Sequence, residues 1–236
     1  MVRRMLYGTA CVAAGCTANG VDSPNATPTA TADAVLVALG HEPGWRLDIG
    51  GGQLVLLADY GEVKLSMPAP AAEVLPNGRR YSGQAEGRTV TATVIDRICE
   101  DGATGMPRPY TVTLTLDGRS MNGCGGDTST LLEGAWIVTA VDGQPLVDGT
   151  TPTIAFEAGR VTGNTACNSF TGSYTLSPER LTIGPLATTR RACPGSIMAQ
   201  ESSLLAVLGA VDRFEASDDG TITLFAPDRT LTARRE

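Results

Sequence analysis

From Val35 onward the pattern is β, in short runs that alternate apolar and polar residues from Trp45 on and are broken by Gly-rich turns. Trp45–Ile49 alternates, Gly50-Gly51-Gly52 turns, and Gln53–Leu57 follows. Val63–Met67, Tyr81–Ala85, Thr89–Ile95 and Tyr110–Leu116 repeat the pattern, and Asp117-Gly118 reads as a hairpin turn into Ser120–Cys124. Side chains of a strand point alternately to opposite faces, so this pattern predicts half-buried antiparallel strands in a sandwich or small barrel. The run Gly123-Cys124-Gly125-Gly126-Asp127 interrupts it. Strands resume at Trp136–Val141, Thr153–Phe156, Arg160–Asn164, Gly172–Leu176 and Arg180–Ile183, and later at Arg213–Ala216, Thr221–Phe225 and Thr230–Arg234. One helix is expected over Ser196–Leu208, where Ile197, Leu204, Leu208 and Val211 fall on one face and Gly209 ends the run. The expected architecture is mainly β, in two small antiparallel modules at 34–127 and 132–236. The second is α+β, a curled sheet packed on one helix.

Charge and cysteines narrow the functional classes. The 236 residues carry a formal net charge of -7 and a single lysine, Lys64. The basic pairs Arg79-Arg80, Arg190-Arg191 and Arg234-Arg235 are scattered, so no basic footprint for nucleic acid is present. A monomer is expected. Beyond Cys11 and Cys16 the cysteines are Cys99, Cys124, Cys167 and Cys193, two in each half and none in a CxxC pair. That spacing does not suit a zinc ribbon or a thioredoxin-type site. Four cysteines allow three connectivities. The within-half pairing is the economical one, each bridge closing a loop of about 25 residues and stabilising by roughly 3 kcal/mol.

The start of the chain is a separate signal. Arg3 and Arg4 precede an apolar run from Met5 to Gly15, then Ala13-Ala14-Gly15-Cys16 and a stretch rich in Ala, Thr, Pro and Asn. This resembles a bacterial lipoprotein signal, with 1–15 as the signal peptide and Cys16 as the lipidated N-terminus of the mature protein. Ala13 stands where Leu is commoner in that motif, and an ordinary secretory signal is the alternative. The apolar run falls short of the roughly 20 residues a membrane-spanning helix needs. Residues 16–33 read as a disordered tether, spanning on the order of 20–25 Å. The expected setting is the cell envelope, lipid-anchored and facing the periplasm or exterior. In a host with two membranes, Thr17 after the lipidated cysteine points to the outer one.

The second half carries a family resemblance. Thr165-Ala166-Cys167-Asn168-Ser169-Phe170-Thr171-Gly172 is followed by Thr189-Arg190-Arg191-Ala192-Cys193-Pro194, then by Met198 and Glu201 on the expected helix. From about Leu132 to the C-terminus this resembles a META domain, the family that includes the heat-shock protein HslJ. Ala166 replaces the usual Gly, and Arg191 a frequent Met. The resemblance implies a curled antiparallel sheet against one helix, no established enzymatic activity, and an envelope setting with links to stress tolerance. In the first half, Gly40-His41-Glu42-Pro43-Gly44-Trp45, Cys99–Pro107 and Asn122-Gly123-Cys124-Gly125 resemble an uncharacterised bacterial envelope domain often fused to META domains. That pattern usually has Asn where His41 stands.

Candidate chemistry is sparse. His41 is the only histidine, which removes multi-histidine metal sites and most histidine-based triads. It reads as a loop residue beside Trp45. No nucleophile elbow, P-loop or dinucleotide loop is present. Glu100-Asp101 reads as a solvated loop rather than an acid/base pair. Asn164, Asn168 and Tyr174 are candidates for a ligand cleft, against turn caps for the asparagines and sheet packing for Tyr174. Arg190 is a further candidate binding residue, against a structural ion pair with Glu201 or another acidic partner. No catalytic residue, metal or cofactor is assigned. The expectation is a noncatalytic, membrane-tethered envelope protein that binds an envelope protein or small ligand or plays a structural part. An inhibitor or small-ligand binder is the first alternative and a hydrolase the second.

Overall fold

The computed structural model describes residues 36–236; the expected signal peptide, Cys16 and the expected tether lie outside them. Chain contacts group Asp33–Glu236 as one packed unit, built on two large sheets with separate cores.

The first sheet contains β1 (Leu36–His41), β2 (Gly44–Gly50), β3 (Gln53–Ala58), β4 (Val63–Pro68), β5 (Glu73–Leu75), β6 (Gly78–Ala85) and β7 (Arg88–Ile95). A small hairpin, β8 (Cys99–Glu100) and β9 (Pro107–Arg108), precedes β10 (Tyr110–Leu116) and β11 (Arg119–Gly125). The order is β4-β3-β2-β1-β11-β10-β7-β6-β5, antiparallel throughout. The sheet curls until its ends meet: a Cβ on Gly83 of β6 would lie 2.6 Å from the Met67 sulfur of β4. Alternation explains the filling. Leu47, Leu54, Leu56, Val90, Val112 and Leu114 point inward and are buried. Ser82, Thr91, Thr115 and Ser120 form a polar rung across the outer face, with hydroxyl contacts of 3.0 Å between Ser82 and Thr91 and 3.1 Å between Thr115 and Ser120. β1 is an addition to the pattern-based strands. Its sequence, Leu36-Val37-Ala38-Leu39-Gly40-His41, lacks polar alternation because its outer face is also partly covered.

After a short helix α1 (Ser129–Leu132), the second module contains β12 (Gly134–Val141), β13 (Gln144–Pro145), β14 (Thr153–Glu157), β15 (Arg160–Asn164), β16 (Ser169–Leu176), β17 (Leu181–Ile183) and β18 (Ala187–Thr188). Then come α2 (Gly195–Ala210), β19 (Arg213–Ala216), β20 (Thr221–Ala226) and β21 (Arg229–Arg235). The main path is β17-β16-β15-β14-β12-β21-β20-β19, and β13 and β18 pair with β12 and β16. Its ends also close, through the Leu181 N–H donating to the Asp212 carbonyl at 2.9 Å. α2 buries Leu204, Val207 and Leu208 against this sheet, which agrees with the expected apolar face.

Both disulfides fall within a half: Cys99–Cys124 and Cys167–Cys193. The cores are not symmetric in origin. Met106, from the β8–β9 hairpin of the first half, is 1% exposed and packs into the core of the second.

Candidate functional site

Three segments singled out in the first half meet at one place. β1 supplies Leu39, Gly40 and His41, the hairpin supplies Cys99–Ala103, and β10 and β11 supply Thr111 and Asn122–Cys124. With Glu42 they line an open pocket of about 650 Å³. Register explains the convergence. Leu39 pairs with Cys124, and Cys124 with Thr111, so these side chains share the outer face of adjacent strands. The hairpin folds over that face, and the Cys99–Cys124 bond pins its base to β11.

Glycine at two floor positions is obligatory. A Cβ on Gly40 would collide with Trp45 Nε1, and one on Gly123 would lie 2.6 Å from Trp45 Cζ2. The Trp45 indole therefore lies directly beneath the floor. Its buried Nε1–H has no hydrogen-bond partner among the described residues. Trp136, at the matching place in the second half, donates its indole N–H to the Leu132 carbonyl at 2.8 Å.

Asp101 corrects the expectation of a solvated Glu100-Asp101 loop. Glu100 is exposed, but Asp101 is 2% exposed and sits at the centre of a polar cluster. Its Oδ1 lies 2.7 Å from His41 Nε2 and accepts the Ala103 N–H at 3.1 Å; its Oδ2 accepts Arg108 Nε–H at 3.2 Å. Arg108 also donates to the Gly126 carbonyl at 3.1 Å. Burial alone would raise the Asp101 pKa. The Ala103 N–H, His41 and Arg108 together outweigh burial, so the carboxyl is held below its ordinary value. His41 ends β1 with its ring half in solvent, and it is a partner of Asp101 as well as a neighbour of the Trp45 strand.

The other candidates do not assemble into one cleft. Asn164 caps a turn, its Oδ1 accepting the Ala166 N–H at 2.6 Å. Tyr174 is buried, with its ring edge-on to Phe156 at 5.2 Å. Asn168 is buried and spends its whole amide internally. Oδ1 accepts from Thr189 Oγ1 (2.8 Å) and the Arg191 N–H (2.7 Å), and Nδ2 donates to the Arg191 carbonyl and to both Glu201 oxygens (3.0 and 3.1 Å). Glu201, 7% exposed on α2, also accepts from the Thr165 hydroxyl. Arg190 corrects a second expectation. It is exposed and makes no ion pair among the described residues, because Glu201 is already occupied by neutral donors. Its neighbour Arg191 is the one that is anchored, through Nη2–H to the Cys167 carbonyl at 2.6 Å. The cysteine–asparagine motif, the loop after β18 and α2 are thus locked together around Asn168 and the Cys167–Cys193 bond.

The sheet closed on a single helix, with these motifs at its seam, is the arrangement that the second-half sequence implies. Residues 129–236 match the META domain family. The match begins at Ser129, in α1. Two NMR structures are similar over part of the chain. One, of a protein from Burkholderia xenovorans, is 24% identical with a TM-score of 0.41, covering 46% of this chain and 86% of that one. The other is 26% identical with a TM-score of 0.39, covering 45% and 92%. Among curated proteins, none matches this chain. Thr165, Cys167, Asn168, Phe170 and Glu201 of these motifs are buried, and the pocket at His41 belongs to the other half.

Proposed function

We propose that the protein is a noncatalytic envelope lipoprotein, tethered through Cys16, whose work is to bind an envelope component. Three features support this reading. The N-terminal sequence has the basic, apolar and Ala-Ala-Gly-Cys16 layout of a lipoprotein signal. The second half matches the META family, for which the sequence resemblance implies an envelope role without enzymatic activity. The observation that carries the binding half is the pocket walled by His41, Glu42, the 99–103 hairpin and Asn122, the segments that mark the first module in sequence. An open concave site with a few convergent polar groups is the ordinary form of a small-ligand site. Under this reading Asp101 fixes the His41 ring at the rim, and the lone histidine is a wall of the site rather than a general base.

Mass spectrometry of the mature protein tests the tether: a diacylated or triacylated N-terminal Cys16 is expected, and an unmodified Cys16 refutes it. Crosslinking from intact cells, with a photoreactive group at Ala103, tests the binding role. The expected product joins the hairpin to an envelope molecule. Activity in a broad hydrolase screen that is lost on His41→Ala would replace binding by catalysis.

A further inference from the structure

We propose that Asn77 is a site of spontaneous modification, converting to aspartate and isoaspartate in the folded protein, while Asn122 is protected by the sheet around it. Both asparagines are exposed and both precede a glycine, Gly78 and Gly123. Local sequence therefore treats them alike, and the fold separates them. In the reaction the Gly78 amide nitrogen gives its proton to solvent and attacks the Asn77 Cγ. The new N–C bond closes a five-membered imide, and the side-chain nitrogen leaves as ammonia. Water then opens one of the two imide carbonyls. One opening restores the main chain with an aspartate. The other leaves the chain running through the side-chain carbon, as isoaspartate. Water is the co-reactant, and nothing is oxidised or reduced.

The step needs the nitrogen to leave its sheet geometry, so local opening controls it. Asn77 lies in the two-residue turn, Pro76-Asn77, that joins β5 to β6. β5 is the last strand of the sheet and is held by three register pairs, Glu73 with Arg80, Val74 with Arg79 and Leu75 with Gly78. Val74 is 85% exposed, so little apolar burial opposes release of this strand. One backbone bond outside the hairpin, from the Asp96 N–H to the Asn77 carbonyl at 2.9 Å, adds a modest restraint. Asn122 lies inside β11, between β1 and β10. Its Oδ1 accepts from Thr113 at 3.2 Å, Gly123 pairs with Val112, and a Cβ on Gly123 would lie 2.1 Å from the Leu39 carbonyl oxygen. The next residue, Cys124, is bonded to Cys99. Freeing the Gly123 nitrogen means parting the middle of the sheet, whereas freeing that of Gly78 means fraying its edge. Either product adds a carboxylate at the turn. Isoaspartate also lengthens the main chain by a methylene and so breaks the Leu75–Gly78 closing pair.

The test is incubation of the full chain at mildly alkaline pH, folded and in denaturant, followed by tryptic peptide mapping with mass spectrometry. Cleavage after Lys64 and Arg79 places Asn77 in the 65–79 peptide, and cleavage after Arg119 places Asn122 in the next region. In the folded chain Asn77 should convert at least about tenfold faster than Asn122. In denaturant the two rates should converge. The Gly78 amide should also exchange with deuterium faster than that of Gly123. Similar rates at the two sites in the folded chain, faster conversion at Asn122, a folded-state difference that persists undiminished in denaturant, slower exchange at Gly78, or conversion of Asn77 only in denaturant would each overturn the proposal.

Discussion

Arg108 and His41 hold the same carboxylate from opposite sides: Asp101 Oδ2 lies 3.2 Å from Arg108 Nε and Oδ1 lies 2.7 Å from His41 Nε2. The guanidinium is 11% exposed, so removing the acid leaves a nearly buried cation without its partner. Asp101→Asn should therefore cost about 3 kcal/mol, read as a fall in the denaturation midpoint.

The same group gives a pH prediction. Its folded pKa lies below its unfolded one. Its contribution is complete above the ordinary aspartate value of about 3.9 and is lost as pH falls through the folded value. Acid titration of stability should be steeper for the wild type than for Asp101→Asn below that point, and parallel near neutrality.

Met106→Ala should destabilise by about 2–4 kcal/mol, and the effect should appear in the META module although the residue lies outside it. The two halves, expressed as 34–127 and 130–236, are expected to fold apart. The second piece should melt lower than it does in the whole chain, because the site Met106 fills in its core is left empty. Equal melting would show that the module repacks to fill it.

The Cys167–Cys193 bond closes a separation of 26 residues, worth roughly 3 kcal/mol. Cys167→Ser and Cys193→Ser should lower the melting temperature equally, and the double variant should be no worse than either, since all three remove one shared bond.

Arg190 and Arg191 should separate cleanly. Arg190→Ala is expected to change stability by less than about 0.5 kcal/mol. Asn168→Ala leaves the Arg191 N–H, the Thr189 hydroxyl and Glu201 short of partners and should cost about 2–3 kcal/mol. Combined with Glu201→Gln it should be less than additive, because both act on one network.

Most strands were legible because each has one wet face and one dry one. β1 was not, since Val37 and Leu39 are partly covered on the face that alternation expects to be polar. Helix α2 was read to within two residues at each end from its apolar face. The burial of Asp101 is not legible for a different reason. A charged residue beside glycine looks solvated locally, and its burial depends on His41, sixty positions away. For Arg190 and Glu201 the motif gave the right neighbourhood and the wrong pair. Burial of Asn168 decides which donors reach Glu201, and no spacing rule reports it.

The Met106 anchor also sets a direction of dependence between the halves. Every buried residue of the first core comes from residues 36–121, while the second borrows one side chain from the first. The borrowed residue sits on the hairpin whose base is held by Cys99–Cys124. A dithiol that reduces that bond, supplying two electrons and two protons and itself closing to a disulfide, frees one leg of the hairpin and so loosens both modules. The same reduction at Cys167–Cys193 stays within its own. The chain thus has a leading half and a dependent one, and the first disulfide is where a reducing environment would be felt by both.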